Sequence, residues 1–267
     1  MWNRNRSRKR PNARPSAPPR KSRSTGPQWS GRVPAGRVAP VLLVLLAAVA
    51  AGCGDGAPAG DLPGAAERGD VAEVRRLLED GAAVDGRDGR RRTALIAAAQ
   101  ARQTAAARVL IEAGADVDAR DANGDGAYYH AALSDNPELV GLVLDRGADR
   151  VGTETFGGTP LIAASDRGYV EVVRTILTRP DIPVDHVNDL GWTALLEAVI
   201  RGDGGPDHTE IVRLLIDAGA DVNIADRDGV APLGHARLRG YASIAALLEA
   251  AGGRASGPPG TSTGSAP

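Results

Sequence analysis

Six positions divide this chain at nearly constant intervals: Leu62, Leu95, Tyr128, Leu161, Leu195 and Leu233, separated by 33, 33, 33, 34 and 38 residues. A unit of this length holds one small helical motif and cannot bury its own apolar face. The units must therefore stack, each completing the core of its neighbours. A second marker keeps the same beat: Gly81-Ala82, Gly114-Ala115, Gly147-Ala148, Gly219-Ala220 and, at the end, Gly252-Gly253. Aromatic residues make up only 3% of a chain that is 42% hydrophobic. A core of small aliphatic side chains suits tightly packed helices better than a β-sandwich, which favours β-branched and aromatic residues.

The residues around each marker have physical roles. Thr93, Thr159 and Thr193 stand where a first helix begins, and a threonine there caps free backbone N–H groups. Pro160 and Pro232 fall in the first turn, where a missing N–H costs nothing. The pairs Ala98-Ala99, Ala131-Ala132 and Ala163-Ala164 let first helices approach one another closely. Second helices carry apolar stripes at helical spacing, such as Val172, Val173, Ile176 and Leu177. The recurring glycines end these helices, where a left-handed residue is wanted, and Asp/Asn/Gly-rich turns lead on to the next unit.

The clearest unit reads Gly191-Trp192-Thr193-Ala194-Leu195, then Glu210-Ile211-Val212-Arg213-Leu214-Leu215, then Gly219-Ala220-Asp221-Val222-Asn223. It resembles the ankyrin repeat, and the resemblance covers residues 62–253. It implies an all-α solenoid of about six helix-turn-helix units joined by hairpin loops. It also implies a non-enzymatic, monomeric protein without cofactor or metal, which binds a protein partner through its hairpin tips and inner helices. The sequence departs from the family pattern in three ways. The histidine that usually follows the aligned leucine is replaced by Pro63, Ile96, Tyr129, Ile162, Leu196 and Gly234, so the polar link it makes between units is expected to be absent, with apolar contacts serving instead. Unit four loses its Gly-Ala marker over residues 179–183, and unit five carries five extra residues, Asp203 to Asp207.

The remainder of the chain is of a different kind. Residues 1–40 are rich in Arg, Pro, Ser and Gly and have no apolar periodicity, which fits a basic disordered region. The apolar run Val41 to Ala51 is too short for a comfortable membrane span and suits the core of an export signal. It ends in Ala50-Ala51-Gly52-Cys53, with the only cysteine of the chain. The segment 41–53 resembles a bacterial lipoprotein signal, which implies lipid attachment at Cys53 and a place on the extracytoplasmic face of a bacterial membrane. An ordinary cleaved signal, an uncleaved signal-anchor and a cytoplasmic protein are the alternatives. Residues 54–61 would be a linker and 254–267 a disordered tail. A lone cysteine permits no disulfide within the chain and no CxxC metal site.

Charge narrows the choice of partner. Of the 32 Lys and Arg residues 11 precede Cys53, so from there on 21 basic groups stand against 33 acidic ones, a net of −12. A nucleic-acid binder needs a basic face, so no nucleic-acid partner is expected. Candidate partner-binding residues at the hairpin tips are Arg90, Arg91, Arg92, Asn123, Asp125, Phe156, Trp192 and Arg227. Arginine and aromatic side chains are favoured interface anchors, although Trp192 would serve equally as cladding on a neighbouring hairpin. The inner-helix position two after the aligned leucine reads Ala97, His130, Ala163, Glu197 and His235. Glu197 and His235, equivalent residues on adjacent units, are expected to lie close enough to pair. Together with Trp192, Asp203 and His208 they form the most distinctive patch. A small-molecule or glycan site there is the alternative to protein binding. No nucleophile or oxyanion group accompanies the pair, so catalysis is not expected.

Overall fold

The computed structural model describes residues 61–152 and 157–255. Twelve helices and no strands occur among them, with a single isolated antiparallel bridge between Arg120 and Gly126. The first helices of the six units are α1 (Leu62–Arg68), α3 (Ala94–Gln100), α5 (Ala127–Leu133), α7 (Pro160–Arg167), α9 (Ala194–Ile200) and α11 (Pro232–Leu238). Their second helices are α2 (Val71–Glu79), α4 (Thr104–Glu112), α6 (Pro137–Asp145), α8 (Val170–Leu177), α10 (Pro206–Asp217) and α12 (Ala242–Ala250). Each helix packs against its like in the next unit, α1 on α3 on α5 and α2 on α4 on α6, so two parallel rows form the stack. The expected all-α repeat architecture is thus present. None of the described helices is long and apolar enough to cross a membrane.

Local sequence explains the helix ends. Thr93, Thr159 and Thr193 accept the N–H of Ile96, Ile162 and Leu196 at 3.4, 3.2 and 3.2 Å. Pro63, Pro137, Pro160, Pro206 and Pro232 lie in first turns. Gly81, Gly114, Gly147 and Gly219 leave the second helices with φ between +86° and +89°, a left-handed backbone that a side chain would strain. The core runs through all six units. Leu95, Leu110, Leu139, Leu161, Ile176, Leu195, Leu215 and Leu233 are fully buried, each side chain contributing about 2 kcal/mol through area removed from water. Ala98, Ala99, Ala131 and Ala132 are completely covered, as close approach of the first helices requires.

Two irregular regions take definite shapes. The extra residues of unit five are only partly a loop, because Pro206 and Asp207 form an added first turn that makes α10 twelve residues long. In unit four, α8 ends at Leu177 and is capped by Thr178 without a left-handed glycine, and the Arg179 guanidinium reaches back to Asp145 of unit three.

Four main-chain amides of the inter-unit loops are met by Asp or Asn side chains of the preceding unit. Asp85, Asp118, Asp185 and Asn223 accept the N–H of Asp116, Asp149, Asp221 and Arg254 at 2.9, 2.8, 3.0 and 2.9 Å. The Asp or Asn that closes one turn thereby anchors the residue that opens the next, or the chain following Gly253. These rungs satisfy backbone donors that neither helices nor strands supply.

Candidate functional site

Four hairpins share one construction. Asp88, Asp121, Asn188 and Asp226 each accept two backbone N–H groups through Oδ1, from the residues two and four further on, at 2.8–3.1 Å. Asp and Asn side chains favour such turns because they replace missing main-chain partners. The third residue after the acceptor has positive φ: Arg91 at 62°, Gly124 and Gly191 at 87°, Gly229 at 75°.

The second side-chain atom of each acceptor faces the inner helix, nine residues further along the chain in three of the units. Asp121 Oδ2 lies 3.0 Å from His130 Nε2, and Asp226 Oδ2 lies 2.7 Å from His235 Nε2. In unit five the polarity is reversed, and Asn188 Nδ2 donates to Glu197 Oε1 at 3.1 Å. In unit two the corresponding position is Ala97, and Arg92 takes over by donating from Nε to Asp88 Oδ2 at 2.9 Å. These links run within single units, at residues one position beyond the usual histidine. His130 Nε2 also meets Gln100 Nε2 of unit two at 3.1 Å, so units two and three do share a polar link of the kind expected to be absent.

Glu197 and His235 do not pair with each other. Each side chain is turned into the hairpin of its own unit, where a partner nine residues away is already held in place. The patch expected around them is also divided. His208 sits between Asp203 Oδ1 at 3.0 Å and the Asp166 carbonyl at 3.3 Å, and it tethers the added loop of unit five to α7. Asp203 itself is exposed and also caps the Gly205 N–H.

The remaining candidates fall into different settings. Arg90, Arg91 and Asn123 are exposed at hairpin tips, and Asp125 and Trp192 are half-buried. Arg92 is 6% exposed, and its guanidinium is committed internally. It donates to Glu67 of unit one at 2.8 and 3.1 Å and to Gln100 at 2.8 Å, so it clamps units one and two rather than facing outward. Arg227 is exposed and donates to the Asp189 carbonyl of the preceding hairpin. Phe156 and Cys53 lie outside the described residues.

The first-helix row and the hairpins beside it enclose a cleft of about 460 Å³ spanning units three to five. It is lined by Tyr129 of α5, Ile162, Ala163 and Asp166 of α7, Glu197 of α9 and Arg201 at its C-terminal cap, and Gly158, Asn188 and Leu190 from two hairpins. Trp192 and His235 are not among its walls. Glu197 is only 5% exposed. Burial, and then the Asp166 carboxylate, push its carboxyl up to about 7, against the smaller pull of Arg201 and the Asn188 amide. Its Oε2 accepts no hydrogen bond from the described residues. The nearest cation, Arg201 Nε, is 4.0 Å away and is engaged by Asp166 Oδ1 at 2.9 Å.

Asp121 and Asp226 show the opposite behaviour. Burial acts to raise them, but backbone N–H groups and a histidine ring together outweigh it and hold both below the usual carboxylate range. Sequence reasoning missed Asn188, Leu190, Asp166 and Arg201. A signal was present for the first two. Asn188 occupies a register that Asp88, Asp121 and Asp226 fill in the other described hairpins, and Leu190 stands where those tips carry Arg90, Asn123 and Asp228.

With this geometry established, the relatives can be placed. Residues 62–121 match a model of ankyrin repeats in three copies, and residues 190–227 match a model of a single ankyrin repeat. The crystal structure of an ankyrin-repeat domain from Acinetobacter baumannii is similar at a TM-score of 0.69 and 45% identity, covering 72% of this chain and 98% of that one. A second crystallised ankyrin-repeat protein gives a TM-score of 0.69 at 31% identity, covering 73% of this chain and 98% of its own. The ankyrin-repeat protein YahD of Escherichia coli is 43% identical over 97 residues, which are 36% of this chain and 48% of YahD. This chain thus spans about half the length of that relative. The chain belongs to the ankyrin-repeat family.

Proposed function

We propose that this protein is a non-enzymatic interaction module that binds a protein partner across the first-helix row and hairpins of units three to five. The observation that carries this reading is the cleft between those units, beside which Leu190 is 51% exposed at a hairpin tip. A cleft with aliphatic walls and a few convergent polar groups is the default candidate for a binding surface. The ankyrin-repeat fold supports the same reading by analogy, since such modules generally bind proteins. The enzymatic alternative drew on a Glu197–His235 pair that the side-chain geometry does not form. The small-molecule or glycan alternative drew on a Trp192, Glu197 and His235 patch, and of these three only Glu197 lines the cleft.

The test is capture of a partner from bacterial envelope extracts by wild type and by Leu190→Asp, with folding confirmed by circular dichroism. The reading predicts at least a ten-fold loss of the captured partner in the variant. Equal recovery by a folded Leu190→Asp would remove the cleft from the interface. We further propose that the chain is exported and anchored through lipid on Cys53, which the run from Val41 to Cys53 supports. Mass spectrometry of the mature N-terminus checks this, and an unmodified chain beginning before Cys53 would overturn it.

A further inference from the structure

The three polar residues at the equivalent inner-helix position are not in equivalent states. His130 and His235 each meet the carboxylate of their own hairpin. Glu197 has one oxygen engaged by Asn188, while Oε2 is buried at the cleft without a hydrogen bond from the described residues. A buried acceptor left unmet is costly, and a carboxylate is the costliest kind. The cations of the site do not resolve this. Arg201 is 4.0 Å from Oε2 and is matched in charge by Asp166. Asp166 is also approached by Arg167 at 3.6 Å from outside the cleft, and among the residues lining the cleft itself two carboxylates, Asp166 and Glu197, stand against the one cation of Arg201. Burial also pushes the Glu197 carboxyl up, so the cleft holds its negative charge poorly without a counter-cation. The walls around it include Ile162, Ala163 and Leu190, aliphatic surface leading from the rim to the carboxylate.

An occupant that answers all of these features has an aliphatic stem and a hydrogen-bond-donating positive head. Lysine and arginine have this form, and they readily lay their methylenes along apolar surface while the head meets a carboxylate. The region from Cys53 onward, with its net charge of −12, would draw such a partner in. We propose that the cleft between units three and five binds a lysine or arginine side chain of the partner polypeptide, its head on Glu197 Oε2 and its stem along Ile162, Ala163 and Leu190. This rests on the reading of the protein as an interaction module and adds the chemistry of the partner to it.

The experiment uses the full chain labelled with ¹³C at glutamate carboxyl carbons. It is titrated with three capped pentapeptides that carry lysine, arginine or norleucine between flanking glycines. The expected result is a saturable shift of the Glu197 resonance by the lysine or arginine peptide, with affinity at least five-fold above that of the norleucine peptide. The preference should disappear in Glu197→Gln, read there from backbone amide shifts of Asn188 and Leu190. Leu190→Ser, at an exposed position outside the core, removes the aliphatic wall without adding charge and should weaken all three peptides. Equal affinity for norleucine would overturn the cation proposal and leave an apolar cleft, with the interaction reading intact. An undiminished cation preference in folded Glu197→Gln would overturn it as well. So would failure of every peptide to perturb the cleft, whereas the interaction reading itself stands or falls on partner capture by Leu190→Asp.

Discussion

The hairpins of units three and five have the same backbone and opposite electrostatics. Both begin with a side chain that accepts two turn amides through Oδ1, and both reach nine residues forward to the inner helix. In unit three a carboxylate at Asp121 meets an imidazole at His130. In unit five a carboxamide at Asn188 meets a carboxylate at Glu197. The acid has crossed from the hairpin to the helix, and the hairpin has become neutral to accommodate it. Asp121 remains well served by donors and sits below the usual carboxylate range, whereas Glu197 is pushed up to about 7. One scaffold position thus carries a satisfied structural contact in one unit and an unsatisfied, cleft-facing group in another.

The largest break in this comparison is Asn188→Asp. It sets two carboxylates against each other across the 3.1 Å contact with Glu197, both largely buried. We expect a loss of about 3 kcal/mol at pH 8 in urea unfolding, the order of a buried charge left without a partner. The loss should shrink at pH 5, where Glu197 retains a proton to donate.

Wild type should itself respond to pH through Glu197. Its folded-state carboxyl is raised from an ordinary 4.5 to about 7. The folded state then holds the proton more tightly than the unfolded one. This contribution is fully present below about pH 4.5 and is lost as pH rises through 7, to an upper bound of about 3 kcal/mol. Asp121 runs the other way, since its lowered carboxyl contributes stability that is lost as pH falls below the carboxylate range. Urea midpoints between pH 5 and pH 8 should decline for wild type and flatten in Glu197→Gln. An equal slope in that variant would show that Glu197 is not the titrating group.

A smaller effect is expected from His130→Ala, which removes the partner of a buried Asp121 oxygen. About 1–2 kcal/mol should be lost at pH 7, the cost of one broken contact to a charged group. The double change Asn188→Asp with Glu197→His rebuilds the unit-three pattern in unit five. Its stability should lie within about 1 kcal/mol of wild type, far above Asn188→Asp alone, and a double-mutant cycle measures the coupling directly. Strict additivity of the two changes would mean that the pairs are not interchangeable.

The fold was largely legible because its determinants are local and repeated. The 33-residue spacing, the threonine caps and the glycine stops are each written within a few residues of where they act. The site was legible only in part. Equivalent register suggested that Glu197 and His235 would meet across adjacent units, but a hairpin partner nine residues away in the same unit holds each one. Arg92 reads as one of three exposed arginines, yet contacts with Glu67, Asp88 and Gln100 bury it and leave Arg90 and Arg91 outside. The cleft escaped notice because its walls come from three helices and two hairpins, spread from Tyr129 to Arg201.

The rungs between loops have a bearing on how such a chain can be rearranged over evolutionary time. Asp85 to Asp116 and Asp118 to Asp149 are the same bond made by the same groups, and Asp185 to Asp221 repeats it across a longer unit. Loss of unit two would set the Asp85 acceptor against the Asp149 donor, a rung of the same kind, whereas unit three, with Val151 in the acceptor register, and unit four, with Pro183 in the donor register, offer no such exchange. The hairpin-to-helix pairs set the limit. A crossover between residues 188 and 197 would leave Asn facing His, or Asp facing Glu, so junctions of recombined units should avoid that interval. The same interval would then travel intact from one chain to another as a single heritable block.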